Sequence, residues 1–278
     1  MAGTLYVVGT PIGNLGDLSP RALQTLRDVD IIAAEDTRVT LKLLNHFSIK
    51  KPLISYFEHN KLQRGDVICT RIESGENCAL VTDAGMPAIS DPGEDLVRQC
   101  AQRGIQAIVV PGPSAVVSAL ALSALPTGRF TFEGFLSMNK KNRREHLAQL
   151  KEETRTMVFY EAPHKLSHTL ADLYQTFGDR RLSIVRELTK VHEQVIRTTL
   201  KDAVQRYAQD PLKGELVLII EGKPQERPQP CPFDQALLLA QEYTQQGMST
   251  SEAAKTAAKF TGLKKGDLYK ALQNGKQP

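Results

Sequence analysis

Short apolar runs punctuate the first 110 residues, at 5–8, 31–34, 53–56, 79–81 and 108–110, and stretches of helical periodicity fill the gaps between them. Runs this short and uniformly apolar suit strands buried on both faces, and strands alternating with helices predict a parallel sheet. Ser19-Pro20 opens one helix. Asp91-Pro92 opens another that starts near Glu94, with Asp91 as cap and Pro92 at the first helical position. Ser114 starts a small-residue helix through Ala124, and Pro126-Thr127-Gly128 then breaks the chain. Beyond the break, strands are predicted at 130–135, 156–160, 182–186, 192–197 and 215–220, with helices near 141–152, 163–176 and 200–208. Consecutive strands with no helix between them point to a mixed sheet. The predicted class is therefore α/β, with a parallel-sheet N-terminal domain over 1–113 and a mixed-sheet C-terminal domain over 114–222. A proline-rich linker over 223–232 and a small helical tail over 233–278 follow. In the tail, a helix over 236–246 stops at Gly247, Ser249 to Glu252 reads as a capping box, Gly262 ends a second helix and 268–272 forms a last short one. Three helices this short resemble a helix-turn-helix unit, and a packing or dimer-contact appendage fits them equally.

With 278 residues and 41% hydrophobic content the chain can build two cores. Cys69, Cys78, Cys100 and Cys231 lie far apart with no Cys-x-x-Cys pair, which argues for a reducing compartment and against structural zinc. The first residues carry no positive leader and no apolar run reaches about 18 residues. The expectation is a soluble, cytoplasmic protein with no metal and no membrane partner. The net charge of +4 is modest, but 137–151 holds Lys140, Lys141, Arg143, Arg144 and Lys151 against Glu145 alone. One basic segment on an otherwise balanced chain suits contact with phosphates, or is a solvated face.

Chemistry concentrates where the apolar runs end. Residues 81–93, Val-Thr-Asp-Ala-Gly-Met-Pro-Ala-Ile-Ser-Asp-Pro-Gly, place two acids, two glycines and two prolines directly after a strand. Open α/β sheets bind ligands at that end, whereas a plain turn into a helix would not need Asp83 to Pro87 before its cap. Gly9 to Gly16 forms a glycine loop after the first strand, with spacing that does not match G-x-G-x-x-G and with Pro11 stiffening it, which counts against a nicotinamide dehydrogenase. Glu35-Asp36-Thr37-Arg38 and Tyr56-Phe-Glu-His59-Asn60 end the second and third strands. Each cluster alone is also what a cap or surface pair looks like; together they deliver polar groups to one rim. Pro111-Gly-Pro-Ser114-Ala115, Phe159-Tyr160-Glu161, His164-Lys165, Arg186-Glu187-Leu188-Thr189-Lys190 and Gly214 do the same in the second half.

These segments resemble the tetrapyrrole methylase superfamily over about residues 4–222, and within it the branch that 2′-O-methylates a cytidine in the decoding region of 16S rRNA. The resemblance implies two α/β domains with S-adenosyl-L-methionine in the cleft between them, usually in a homodimer, and 16S rRNA, within the 30S subunit, as partner. Carried over by position, the cofactor contacts are Pro11, Asp83, Ala84, Gly85, Ile89, Ser114, Ala115, Tyr160, Leu188 and Gly214. Met86 stands where threonine is common in the family, and Lys165 where arginine is usual.

Methyl transfer from a sulfonium is an in-line displacement, and a ribose hydroxyl needs a base to take its proton. The candidate catalytic residues are Glu35, Asp36, Arg38, Glu161, Glu187 and Lys190, with His59 and His164 also at the rim. Glu35 and Glu187 lead because Arg38 and Lys190 can orient them, and domain-locking ion pairs are the competing reading. Lys140, Lys141, Arg143 and Arg144, with Lys264, Lys265 and Lys270 in the tail, are candidate phosphate contacts. Two rivals remain: a tetrapyrrole C-methyltransferase, which needs no basic segment, and a non-catalytic RNA-binding assembly factor, which would tolerate loss of the 82–93 loop.

Overall fold

The computed structural model describes residues 2–209, 212–224 and 232–274, in two compact units, Met1–Lys223 and Pro224–Pro278. Unit 1 carries two five-stranded sheets. The first orders β3 (Leu53–Ser55), β2 (Ile31–Ala34), β4 (Cys78–Val81), β1 (Thr4–Val8) and β5 (Gln106–Val110), all parallel. The parallel crossovers α1 (Pro20–Asp28), α2 (Thr37–His46), α3 (Lys61–Glu73) and α4 (Gly93–Gln102) cover its faces. Alternation along each strand divides the core: Leu5, Val7, Ile31 and Leu80 pack with Ile68, Ile72 and Leu96 of α3 and α4. Val8, Ile32, Ala79 and Val81 pack with Ala22, Leu26 and Leu44 of α1 and α2. β2 and β4 are buried at every position, which is why their sequences are uniformly apolar.

The second sheet orders β6 (Phe130–Phe135), β7 (Thr156–Glu161), β10 (Leu216–Ile220), β8 (Arg181–Arg186) and β9 (Gln194–Thr199). β6 and β7 are parallel and the other pairs antiparallel, so the sheet is mixed. One face packs on α6 (Lys140–Gln149), α7 (Leu166–Phe177) and α8 (Leu200–Arg206). The other packs on α5 (Ala115–Leu122), joined by Ile12 from the first glycine loop, so that loop is part of the second sheet's core.

Several boundaries differ from the sequence reading, each for a local reason. The third strand stops at Ser55, and Tyr56 is buried with its hydroxyl donating to the Pro92 carbonyl at 3.1 Å. The fourth helix starts at Gly93 with Pro92 as cap residue, while Asp91 accepts from the Gly93 and Ala88 amides at 2.7 and 2.9 Å. The strand expected at 192–197 is displaced to Gln194–Thr199, because the Glu193 carboxylate accepts from the Thr189 amide at 2.6 Å and closes a turn ahead of it. The helix expected from 163 begins as a 3-10 turn, Pro163–Lys165.

Unit 2 is α9 (Phe233–Gln245), α10 (Thr250–Thr261) and α11 (Lys265–Asn274), around Ala236, Ala240, Ala253, Ala257, Leu268 and Leu272. Ser249 and Glu252 form the capping box and Gly262 ends α10 in the left-handed conformation. Most of the predicted linker, residues 225–231 including Cys231, lies outside the described residues. Cys69, Cys78 and Cys100 are buried free thiols. Among the described residues no helix is long and apolar enough to cross a membrane.

Candidate active site

β1 and β4 are neighbours whose carboxyl ends release the two glycine-bearing loops side by side. The loops zip together through reciprocal hydrogen bonds between Thr10 and Gly85, 2.9 and 3.1 Å. Gly85 has φ +89°, open to glycine at little cost, and a side chain at Gly9 would meet the Gly112 Cα at 2.7 Å. The first loop, the β4 loop and the segment after β5 are thereby held in backbone contact. Around Ile89 the β4 loop is strained: Ala88 and Ser90 both have left-handed φ, +67° and +68°. The Asp91 carboxylate clasps this turn, and burial raises its pKa.

The cleft beside these loops holds two contiguous cavities that share Ile12, Ala84, Ala115, Phe135 and Tyr160. The larger, about 350 Å³, is walled by Leu188, Val217, Glu161 and Glu215. The smaller, about 140 Å³, is walled by Glu35, Thr82, Gly85, Met86, Ile89, Asp91 and Ser114. Of the residues predicted as cofactor contacts, Ala84, Gly85, Ile89, Ser114, Ala115, Tyr160 and Leu188 all line this cleft. Pro11 and Asp83 instead line a separate cavity of about 250 Å³ between the first loop and α2. Gly214 lies beneath the Glu187 carboxylate, where a side chain would collide with it.

The candidate catalytic residues fall into four settings. Glu35 faces the smaller cavity and accepts from the Thr82 hydroxyl at 2.6 Å. Asp36 caps α2 and is paired with Arg38 at 2.6 Å; the guanidinium hydrogen bond lowers its carboxyl to about 2. The Asp36 amide donates to Asp83 at 3.0 Å, and the Asp83 carboxyl is raised first by desolvation and then by Glu35. Glu187 has φ +52°, accepts from the Glu215 amide at 2.9 Å and from Lys190 at 3.0 Å, and its pKa is lowered by these bonds. Lys190 also reaches Glu215 at 3.0 Å, and its stem lies against Gly13 of the first loop. Glu161 is buried, accepting from the Ala162 amide at 2.7 Å, while His59 and His164 are exposed.

On the basic segment, Lys140, Lys141 and Arg144 project from α6 into solvent. Arg143 does not: its guanidinium is half-buried against Asp172 of α7 at 2.7 Å. In unit 2, Lys264 and Lys265 are exposed at the start of α11. Residues overlooked in the sequence are Ile12, Thr82, Phe135 and Val217 in the cleft and Thr40 in the separate cavity. Phe135 carried the one legible signal, an aromatic at the end of a predicted strand just before the basic segment.

By fold the chain is a two-sheet α/β protein that shares its architecture with solved methyltransferases. The methyltransferase CobJ matches with a TM-score of 0.61 at 17% identity, over 81% of this chain and 97% of that one. Diphthine synthase matches with a TM-score of 0.59 at 14% identity, over 79% and 90%. The family profile for Tetrapyrrole (Corrin/Porphyrin) Methylases matches residues 4–204, and the chain belongs to that family. Its curated relatives include the Ribosomal RNA small subunit methyltransferase I of Synechocystis sp., 46% identical over 96% of each chain. The protein of the same name from Thermotoga maritima is 48% identical over 80% of this chain and 99% of its own.

Proposed function

We propose that this protein transfers the methyl group of S-adenosyl-L-methionine to the ribose 2′-oxygen of a cytidine in the decoding region of 16S rRNA, within the 30S subunit in the cytoplasm. The supporting observation is the identity of 46% over 96% of both chains to a protein named for small-subunit rRNA methylation.

The cleft suits the cofactor on its own chemistry. Ile12, Leu188 and Val217 give an apolar wall, and Ser114 leaves the first-turn amides of α5 without a side-chain cap. Glu35 and Asp91 line the smaller cavity, where a sulfonium and an ammonium group would meet carboxylates. Bound there, S-adenosylmethionine supplies an electrophilic methyl group. The chain's own part is alignment and proton removal. Fixed loops align the reactants, which is worth about 7–11 kcal/mol in favourable cases. Glu35 is the base: among the described residues its one side-chain bond is to the Thr82 hydroxyl, through Oε2, which leaves Oε1 for the cleft. Glu187 lines neither cavity of the cleft and is held as a carboxylate by Lys190 and the Glu215 amide, and Asp36 by Arg38; these bonds lower both pKa values and make each the weaker base. Exposed Lys140, Lys141 and Arg144, on the helix that follows Phe135, hold RNA phosphates, with Lys264 and Lys265 as further contacts.

A homodimer accounts for one further feature. Edge strand β5, α5 and the β4 loop expose Val109, Val117 and Ile89 at 56%, 53% and 51% around an apolar groove. A groove this apolar on an unpaired edge is an association surface, and a second copy is the reading adopted.

The deciding assay offers tritium-labelled S-adenosylmethionine to purified 30S particles lacking the modification and, separately, to uroporphyrinogen III, with mass mapping of the product. Label on a cytidine 2′-oxygen is expected. Label on the tetrapyrrole alone would overturn the RNA reading and keep the cofactor.

A further inference from the structure

We propose that the separate cavity between the first glycine loop and α2 is the acceptor-base subsite, selecting a pyrimidine that carries an exocyclic amine. This rests on the RNA reading above. The cavity, about 250 Å³, adjoins the cofactor cleft through Thr82, which lines both. Thr82 is also the residue that holds Glu35. A nucleotide with its base in this cavity therefore has its ribose next to the proposed base. At this size the cavity suits a single flat ring system rather than a macrocycle.

Its lining has the chemistry of base recognition. Leu15, Val39 and Leu43 supply apolar walls. Thr40 is 3% exposed overall and lines the cavity, where its hydroxyl can donate to or accept from a base. Asp83 spends one oxygen on the Asp36 amide and has the other to offer. A carboxylate accepts from the cytosine amine, and it repels the carbonyl that uracil carries at the same place. Lys42 lines the cavity, is exposed and has no ion pair among the described residues, so it suits the nucleotide's phosphate.

The test is equilibrium binding to the full chain loaded with S-adenosylhomocysteine, using cytidine 5′-monophosphate and uridine 5′-monophosphate as probes. The cytidine nucleotide is expected to bind about tenfold or more tighter than the uridine nucleotide. Asp83→Asn, whose amide donates where the carboxylate accepted, should abolish or reverse that preference. Thr40→Val should weaken the cytidine nucleotide. Both variants should bind S-adenosylhomocysteine as the parent does, which also shows that they fold. Equal binding of the two nucleotides, or a preference unchanged in both variants, overturns the subsite; so does loss of cofactor affinity in both, which would make the cavity part of the cofactor site. Because no methyl transfer is read, selective nucleotide binding with no transfer to 30S particles would sink the substrate reading alone. Transfer without selectivity would sink the subsite alone.

Discussion

Two glutamates of similar sequence setting end in opposite circumstances. Glu187 is fixed by an ammonium group and a backbone amide, and its lowered pKa records how well its charge is already satisfied. Glu35 has a single hydroxyl donor and an open face on the cleft. Replacing Glu35 by Gln keeps an acceptor for Thr82 and removes the capacity to take a proton. The turnover number on 30S particles should fall about 10²–10⁴-fold, with calorimetric affinity for S-adenosylmethionine retained. Glu187→Gln should show the reverse emphasis, a lower melting temperature with the chemical step little changed. An unaltered turnover number in the Glu35 variant would remove it from the mechanism.

At the scale of elements, α6 shows that a charge run is not uniform in use. Arg143 faces inward to Asp172 while Lys140, Lys141 and Arg144 face water, so only the latter three are fair probes of RNA contact. Charge reversal at those three should raise KM for 30S particles and flatten its dependence on salt without touching cofactor affinity. Reversal at Lys264 and Lys265 tests the tail in the same way. A KM equal to the parent's in both sets would leave these helices without a role in RNA binding. All ten strands were legible because apolar runs end in turn residues, and the periods that place Leu5 and Val8 on opposite faces are set by the backbone alone. The cleft was legible as a rim because motifs give position along the chain. What they do not give is direction: Asp83 sits one residue from Ala84 yet lines a different cavity, and Arg143 one residue from Arg144 yet packs inward. The shift of β9 was hidden for a related reason, since it depends on the Glu193 carboxylate closing a turn that no period encodes.

For the whole molecule, the exposed groove beside β5 makes association the expectation at working concentrations. Sedimentation should find a dimer, and Val109→Lys with Val117→Lys should give a folded monomer; a monomeric parent protein would refute the assignment. The same strand sets a condition on how the chain is made. β1 pairs Leu5 with Cys78 on one side and with Ala107 on the other. Within the first sheet, β1 is made before both of its neighbours and is the last strand to have both available. At about 5–20 residues added per second, its apolar side chains wait on the order of 5–20 s for β5. The amino-terminal glycine loop that anchors the cleft cannot settle before then, because Gly9 bonds to Val110. Synthesis speed over the first 110 residues, more than any property of the finished protein, governs how long that segment is at risk of pairing with another chain.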